Sequence, residues 1–177
     1  CSSDLHIGAL SNTAIEALDD AGIDRIDATD NVLTVSVAQY LALGGIDLTQ
    51  ADDITLADTN ENIALLDATA FDGLKAAGID SIDVTDGTLT LSVAQFRNLN
   101  GVLLTETDTV VLSDTAANLE TLTSTEIGNL AGLFVDKLDA GTDPINLDVA
   151  QATALGSVTV ETAGSAKVVD SAVNIQG

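Results

Sequence analysis

Aspartates are the residues of this chain whose type and spacing could support chemistry. Two groups with three-residue steps recur along the sequence, Asp24, Asp27 and Asp30, then Asp80, Asp83 and Asp86. Carboxylates placed close together repel one another unless a cation bridges them or water screens them. Ca²⁺ takes six to eight oxygen ligands, and acidic turns supply such oxygens. The pattern therefore predicts either a Ca²⁺ site at these six aspartates or solvated acidic turns, because "DVTDG" is also ordinary turn chemistry.

Residues for other kinds of catalysis are scarce. The single histidine, His6, and the single cysteine, Cys1, both lie within the first six residues. A Cys–His pair or a Ser–His–Asp set on a rigid centre cannot be built from them. The sequence also has no phosphate-binding loop or dinucleotide fingerprint. We therefore expect no catalytic residues, no cofactor apart from the Ca²⁺ considered above, and a protein that is not an enzyme.

Charge restricts the partners of the chain. It has 28 acidic residues against 5 basic ones in 177, which gives a formal net charge of −23 at pH 7. A phosphate backbone or an anionic membrane surface would be repelled. Hydrophobic residues make up 46% of the sequence, yet they do not form a run long enough to cross a bilayer. We expect a folded protein that neither binds nucleic acid nor inserts into a membrane.

An internal repeat organises the whole sequence. The segment "GIDRIDATDNVLTVSVAQ" at 22–39 returns as "GIDSIDVTDGTLTLSVAQ" at 78–95 and, more weakly, as "FVDKLDAGTDPINLDVAQ" at 134–151. The spacing between successive copies is constant, and the copies align without gaps. This period predicts a single array over 1–177, with units at 1–56, 57–112 and 113–168 and the start of a fourth at 169–177.

Each repeat contains two kinds of strand-to-helix segment. Alternating runs such as "TLTLS" predict strands with one buried face, one before each V-A-Q and one before each D-[TS]. A short helix is expected to begin at each V-A-Q, and a long helix is expected from Asp58 to Gly78, which ends it. The long helix has one apolar face, at Ile63, Leu66, Ala70, Phe71, Leu74 and Ala77. The predicted fold class is α/β, a right-handed parallel solenoid of strand–helix–strand turns. Its 56-residue double repeat has one short-helix turn and one long-helix turn and occurs in about three copies.

Two rows of polar residues recur with the same period. Asp58, Asp114 and Asp170 fit helix N-caps, since each precedes an apolar helical pattern. Asn62, Asn118 and Asn174 each follow one turn of helix later, and His6 occupies the equivalent position in the first copy. We expect the three asparagines to form a structural ladder along the stack, bonding neighbouring backbone or one another.

The segments "DTAANLETLTSTEIGNL" and "GIDSIDVTDGTLTLSVAQ" resemble tandem repeats of very large bacterial proteins that type I secretion exports. The resemblance implies an extracellular location at the bacterial cell surface and an adhesin-like structural or spacer role. The implied partners are other repeats of the same protein or identical chains, stacked end to end into a filament or layer. The alternative is a binding module that grips a glycan or a surface protein with one solenoid face, with Ca²⁺ in the acidic turns. Tyr40 and Phe96 are the aromatic candidates for that face, although both fit the core.

Overall fold

The computed structural model describes residues 7–161 and 166–176, so Cys1 and His6 lie outside the described residues. The chain divides into two compact units. The first comprises Cys1–Asp86 with Asn98–Thr105, and the second comprises Gly87–Arg97 with Glu106–Gly177. Two consecutive strands stand between successive helical segments in both units, and the strand pairs of the described residues are parallel. The predicted α/β class with parallel sheets is confirmed.

The elements are short throughout the described residues. The helices are α1 Asn12–Asp20, α2 Val37–Ala42, α3 Asn60–Ile63, α4 Ala68–Leu74, α5 Val93–Arg97, α6 Ala116–Leu119, α7 Ser124–Leu130, α8 Val149–Ala154 and α9 Ala172–Gln176. The strands are β1 Arg25–Ile26, β2 Val32–Val35, β3 Asp47–Leu48, β4 Asp53–Asp58, β5 Ser81–Val84, β6 Thr88–Leu91, β7 Leu103–Leu104, β8 Thr109–Ser113, β9 Val135–Asp139, β10 Asn146–Leu147, β11 Thr159–Glu161 and β12 Lys167–Val168. Single 3-10 turns occupy Ile7–Ala9 and Ala131–Leu133.

The described part of each unit contains one four-stranded and one two-stranded sheet. The first unit has the order β2-β4-β5-β7 and the pair β1-β3, and the second has β11-β9-β8-β6 and the pair β10-β12. Leu33 pairs with Ile54 in the first unit, and Leu89 pairs with Val110 at the equivalent positions of the second. Because parallel neighbours need a crossover, the helices lie between successive strands of each sheet.

Alternation along the strands builds the core, as the sequence predicted. In β6 the leucines Leu89 and Leu91 are fully buried, whereas Thr88 is exposed. Phe96 and Tyr40 occupy equivalent positions in the sequence repeat. Phe96 is buried, whereas Tyr40 is half-buried. Burial raises the pKa of the Tyr40 hydroxyl. The expectation that these two aromatic residues face the core is confirmed for Phe96 and met in part for Tyr40.

The long crossover differs from the prediction. Instead of one helix from Asp58 to Gly78, the chain forms α3 and α4, which residues 64–67 separate. The Asp67 carboxylate accepts a hydrogen bond from Ala70 N at 2.9 Å and is the N-cap of α4. A short acceptor at this position gives the backbone an alternative to continuing the first helix. The predicted apolar face is nevertheless buried at Ile63, Leu66, Phe71 and Leu74.

In the described ranges 7–161 and 166–176, every helix is too short or too polar to traverse a bilayer.

Candidate functional site at the aspartate clamps

Asp58 joins three backbone and side-chain groups in the first unit. Its Oδ1 accepts hydrogen bonds from Thr59 N at 2.9 Å and from Asn62 Nδ2 at 2.7 Å. Its Oδ2 accepts a hydrogen bond from Val37 N, the first residue of α2, at 3.0 Å. The carboxylate therefore satisfies N–H groups at the starts of two helices, which have no partner inside a helix. We call this arrangement an aspartate clamp.

The same clamp occurs twice in the second unit. Asp114 Oδ1 accepts from Thr115 N at 2.8 Å and Asn118 Nδ2 at 2.7 Å, and its Oδ2 accepts from Val93 N at 3.0 Å. Asp170 accepts in the same way from Ser171 N, Asn174 Nδ2 and Val149 N, at 2.7, 2.7 and 3.1 Å. Because the aspartates and their donors recur at the same spacing in the sequence, each aspartate accepts the same set of hydrogen bonds.

Two details of the prediction need correction. The N-caps of α3 and α6 are Thr59 and Thr115, directly after the aspartates, because the threonine side chains accept from the N–H groups of Asn62 and Asn118. Before α9 it is likewise the Oγ of Ser171, directly after Asp170, that accepts from Asn174 N, at 3.3 Å. The hydrogen bonds found for the amides of Asn62, Asn118 and Asn174 go to the clamp aspartate that precedes each of them. The asparagines act inside their own segments, where they hold the clamp aspartate in place.

The clamps stabilise the ionised carboxylates. Burial alone would raise the pKa of Asp58, but the hydrogen bonds from Asn62, Thr59 and Val37 outweigh it and lower the pKa below its usual value. Asp114 has the same balance of burial and hydrogen bonds, and its pKa is also lowered. For Asp170 the hydrogen bond from Asn174 is the main cause of the lowered pKa. A carboxylate used in this way is a structural acceptor at neutral pH and a poor general acid.

The glutamines of the V-A-Q motif form a second set of hydrogen bonds, which was not predicted from the sequence. Gln39 Oε1 accepts from Ser36 N at 2.8 Å, and Gln39 Nε2 donates to the carbonyls of Gly8 and Leu10 at 3.0 and 2.9 Å. Gln151 in the second unit donates likewise to Glu120 O and Leu122 O at 3.1 and 2.7 Å. The sequence pattern that predicts these hydrogen bonds is the capping box, S-x-x-Q or D-x-x-Q.

The aspartates predicted for Ca²⁺ make contacts of their own. Asp80 forms an ion pair with Lys75, and its Oδ2 accepts from Ile54 N at 3.0 Å. Burial would raise the pKa of Asp80, but the hydrogen bonds from Lys75 and Ile54 lower it. Asp86 accepts from Asn60 N at 3.1 and 3.3 Å. These carboxylates already have donors within the protein.

The other predicted ligands lie on the surface or at its edge. Asp24, Asp27 and Asp30 are exposed, and Asp83 is half-buried, with its Oδ1 at 3.4 Å from the Thr105 hydroxyl. Over residues 7–161 and 166–176, no group of three or more His, Cys, Asp or Glu side chains has a geometry that could hold a metal ion. The structure does not bring the six aspartates together, and Ca²⁺ binding stays a prediction.

A cavity of about 390 Å³ in the first unit was not foreseen from the sequence. Its lining comprises Arg25, Asp47, Leu48, Thr49, Gln50 and Ala76. The Thr49 hydroxyl donates to Ile26 O at 2.9 Å, so it is part of the backbone network. The lining contains no cysteine or histidine that could act as nucleophile or base. Its chemistry is that of a polar surface depression.

Comparison of the chain with protein-family models, with curated proteins and with solved structures gives no match in any of the three.

Proposed function

We propose that the chain is a structural spacer segment of an extracellular bacterial surface protein of the adhesin-like kind. The observation that carries the proposal is the recurrence of one set of hydrogen bonds at Asp58, Asp114 and Asp170. The functional sites of enzymes depend on a unique arrangement of side chains, whereas these clamps are equivalent and satisfied. A segment that holds other parts of a protein at a fixed distance needs bonds of this kind, which are equivalent and satisfied.

The architecture we propose is a right-handed parallel solenoid with a 56-residue double repeat. Strand pairs of equal register, such as Leu56 with Ile82 and Leu112 with Leu138, support it. We assign right-handed crossovers because connections between parallel strands strongly prefer that hand. In such an array each repeat adds two strand layers and contacts only its neighbours, so length grows with the number of copies.

The proposed location follows from composition and resemblance. With one cysteine, the chain cannot form an internal disulfide. Its net charge of −23 repels anionic partners. The sequence resembles repeats of secreted bacterial surface proteins, which implies the same setting. Antibody labelling of intact cells of the source organism, before and after protease shaving of the surface, tests this location. Labelling only after lysis would contradict it.

Changing the number of repeats tests the architecture. Deletion of residues 57–112 removes one period, and a second variant carries that segment twice. Since parallel layers are about 4.8 Å apart, we expect the long dimension in small-angle scattering of dilute protein to change by about 10 Å per repeat. Both variants should unfold cooperatively with the circular dichroism per residue of the parent.

An out-of-phase deletion is the matched control. Removal of residues 57–96 takes out a shorter segment but joins positions that are not equivalent in the repeat. We expect this variant to lose cooperative unfolding, because its core positions no longer face one another. Equal behaviour of the two deletions, or no change in length when a repeat is added, would contradict the proposed solenoid.

A further inference from the structure

Asn100 occupies a left-handed backbone position that glycine holds in the other two copies of the repeat. Its φ is 49°, and the equivalent residues Gly44 and Gly156 have φ values of 57° and 58°. Asparagine is one of the few residue types besides glycine that adopt this conformation at a modest steric cost. The second copy therefore keeps the backbone shape of the other two here, but it adds a side-chain amide.

The residue that follows Asn100 is Gly101, and both residues are exposed. A Cβ placed on Gly101 would have open space around it. Val102 N donates to Leu99 O across the loop, whereas no acceptor for the Gly101 N–H is found among the described residues. The nitrogen of Gly101 thus has neither a hydrogen bond to give up nor a side chain beside it.

An asparagine followed by glycine supports one covalent reaction. The backbone nitrogen of the glycine attacks the side-chain Cγ of the asparagine, so that an N–C bond forms and the Cγ–Nδ2 bond breaks. The amide nitrogen leaves as ammonia and takes the proton of the attacking N–H. Water then opens the resulting succinimide ring and leaves aspartate or isoaspartate. Glycine favours the attack, because it allows the backbone rotation that brings its nitrogen to Cγ.

We propose that Asn100–Gly101 is a site of spontaneous deamidation in the folded protein, and that the reaction weakens the attachment of this loop to helix α4. The co-reactant is water, which surrounds both exposed residues. The inference concerns the chemistry of the first unit alone and does not depend on the spacer role. It adds a covalent modification site to a repeat whose other copies have glycine instead of asparagine.

Two asparagine amides attach the loop to α4 within the first unit. Asn98 Nδ2 donates to Ala68 O at 2.8 Å. Asn100 Nδ2 donates to Asp72 Oδ1 at 2.7 Å and approaches Asp72 O at 3.5 Å. Because this nitrogen is the atom that leaves as ammonia, deamidation removes the donor. It also places a second carboxylate beside that of Asp72, and like charges at this distance repel one another.

The same contact makes Asp72 a positioning residue for the reaction. A hydrogen bond to an ionised carboxylate is stronger than one between neutral groups, and this one must break before ammonia can leave. The carboxylate also opposes the negative charge that develops on the Gly101 nitrogen as it loses its proton. Asp72 should therefore slow the conversion of Asn100 in the folded protein.

Mass spectrometry of the stored protein tests the site. The full chain is kept folded in mildly alkaline buffer, digested with trypsin at intervals and analysed for the peptide that spans 98–137. We expect aspartate and isoaspartate to accumulate at residue 100, and fragment ions assign the position. Methylation by an isoaspartate-specific methyltransferase gives an independent readout. An Asn100 that stays intact in the folded chain while the urea-unfolded chain converts would overturn the proposal.

The chain contains two matched internal controls. Asn31 is exposed and left-handed, with φ 58°, but Val32 follows it. Asn98 lies in the same loop as Asn100 and bonds to the same helix, but Leu99 follows it. Both should stay intact over the period in which Asn100 converts. Conversion of either at the rate of Asn100 would contradict the role of the glycine.

Variants separate the role of Asp72 from general loosening of the loop. D72A removes the acceptor and should speed the conversion of Asn100 about threefold, because the leaving nitrogen is no longer held. The control is N98A, which removes the other bond to α4 and should change the rate less. N100G restores the glycine of the other copies and should give no isoaspartate in the loop. Equal rates in D72A and N98A would refute the positioning role.

A double-mutant cycle tests the structural consequence. N100D reproduces the aspartate product, and urea unfolding is measured for the parent, N100D, D72A and N100D/D72A. We expect N100D to lower the urea midpoint in the parent background and to lower it less in the D72A background, where the repelling carboxylate is absent. An unchanged midpoint for N100D, or equal losses in both backgrounds, would overturn the proposed weakening of the loop.

Discussion

At the scale of single residues, the repeated feature of this protein is a carboxylate with three hydrogen-bond donors. Asp114 receives two backbone N–H groups and one amide, and its two oxygens serve different helices. Hydrogen bonds to a charged acceptor are stronger than those between neutral groups. One side chain thereby fixes where β8 ends, where α6 begins and where α5 begins. The clamp gives a physical reason for the recurrence of the aspartate at a constant spacing in the sequence.

Replacing Asp114 by asparagine should destabilise the protein by about 1–3 kcal/mol. Asparagine keeps the size but turns one acceptor oxygen into a donor, which then faces the Val93 N–H or the Asn118 amide. Urea unfolding monitored by circular dichroism measures the effect. The control is D143N, which makes the same charge change at an exposed residue. Equal stability of the two variants would mean that the clamp does not contribute.

The ion pair of Arg97 with Glu126 gives a prediction on pH. Arg97 Nε is 2.7 Å from Glu126 Oε1, and this hydrogen bond is the main cause that lowers the pKa of Glu126 to about 2. Because the pKa of Glu126 is lower in the folded state than its ordinary value of 4.5, its ionised form stabilises the protein at pH values above 4.5. This stabilisation is lost as the pH falls through about 2. Because the pair is partly exposed, it contributes about 1 kcal/mol or less.

The variant E126Q isolates this contribution, because glutamine can also form the capping box with Thr123. We expect the difference in unfolding free energy between the parent and E126Q to be constant from pH 7 to about 5. Below pH 4.5 it should shrink, and near pH 2 it should approach zero. A difference that grows on acidification would contradict the assigned direction.

At the scale of elements, left-handed residues end the helices and turn the chain into the next strand. Gly22, Gly78 and Phe134 occupy equivalent positions of the repeat, and their φ values are 79°, 95° and 61°. Glycine adopts this conformation without steric cost, whereas other residues are strained in it. The surroundings differ, because a Cβ at Gly78 would lie 3.2 Å from Leu48 Cβ and one at Gly22 would have open space.

Alanine at these two glycines should therefore have unequal effects. G22A should cost about 1–2 kcal/mol from backbone strain alone. G78A adds a contact with the side chain and carbonyl of Leu48, and overpacking typically costs a further ~1–3 kcal/mol. Thermal unfolding of both variants gives the comparison. Equal losses for the two would show that Leu48 gives way without cost.

Much of this arrangement was predictable from local patterns, and the rest was not. The period-2 alternation of β6 identified its buried leucines correctly. Of the predicted apolar face, Ile63, Leu66, Phe71 and Leu74 are buried, whereas Ala70 and Ala77 are half-buried. The break at Asp67 was missed because these apolar positions keep a helical spacing across it, while a capping side chain decides the backbone locally. The bond from Val37 N to Asp58 joins groups far apart in the sequence, so it depends on the tertiary register and has no local signature.

At the scale of the whole molecule, the charge of −23 is the dominant electrostatic term. Several basic groups form ion pairs, with Asp80, Glu126 and Glu161 as their partners. The remaining carboxylates repel one another, and this repulsion destabilises the compact state. Cations in the surrounding solution screen it, with a Debye length of about 8 Å at physiological ionic strength. Stability should therefore rise with salt, whatever the cation.

The nature of the cation decides between screening and ligation. We expect the melting temperature to be the same in EDTA and in metal-free buffer, and to rise equally in Ca²⁺ and Mg²⁺ at matched ionic strength. The reason is that Asp80 and Asp86 already accept hydrogen bonds from the protein, and Asp24, Asp27 and Asp30 are exposed. Circular dichroism with each ion, alongside light scattering for mass, measures this.

A specific Ca²⁺ site would give a different result. Calcium at 100 times its dissociation constant adds about 2.7 kcal/mol to the stability, which raises the melting temperature by several degrees beyond the rise in Mg²⁺. The variant D80N/D83N/D86N distinguishes the causes, because it removes predicted ligands together with three charges. If Ca²⁺ stabilises the parent more than Mg²⁺ does and the variant loses that excess, the acidic turns are ligands and bound calcium stabilises the fold. Equal responses to both ions in parent and variant mean that the turns are solvated and that the ions act by screening alone.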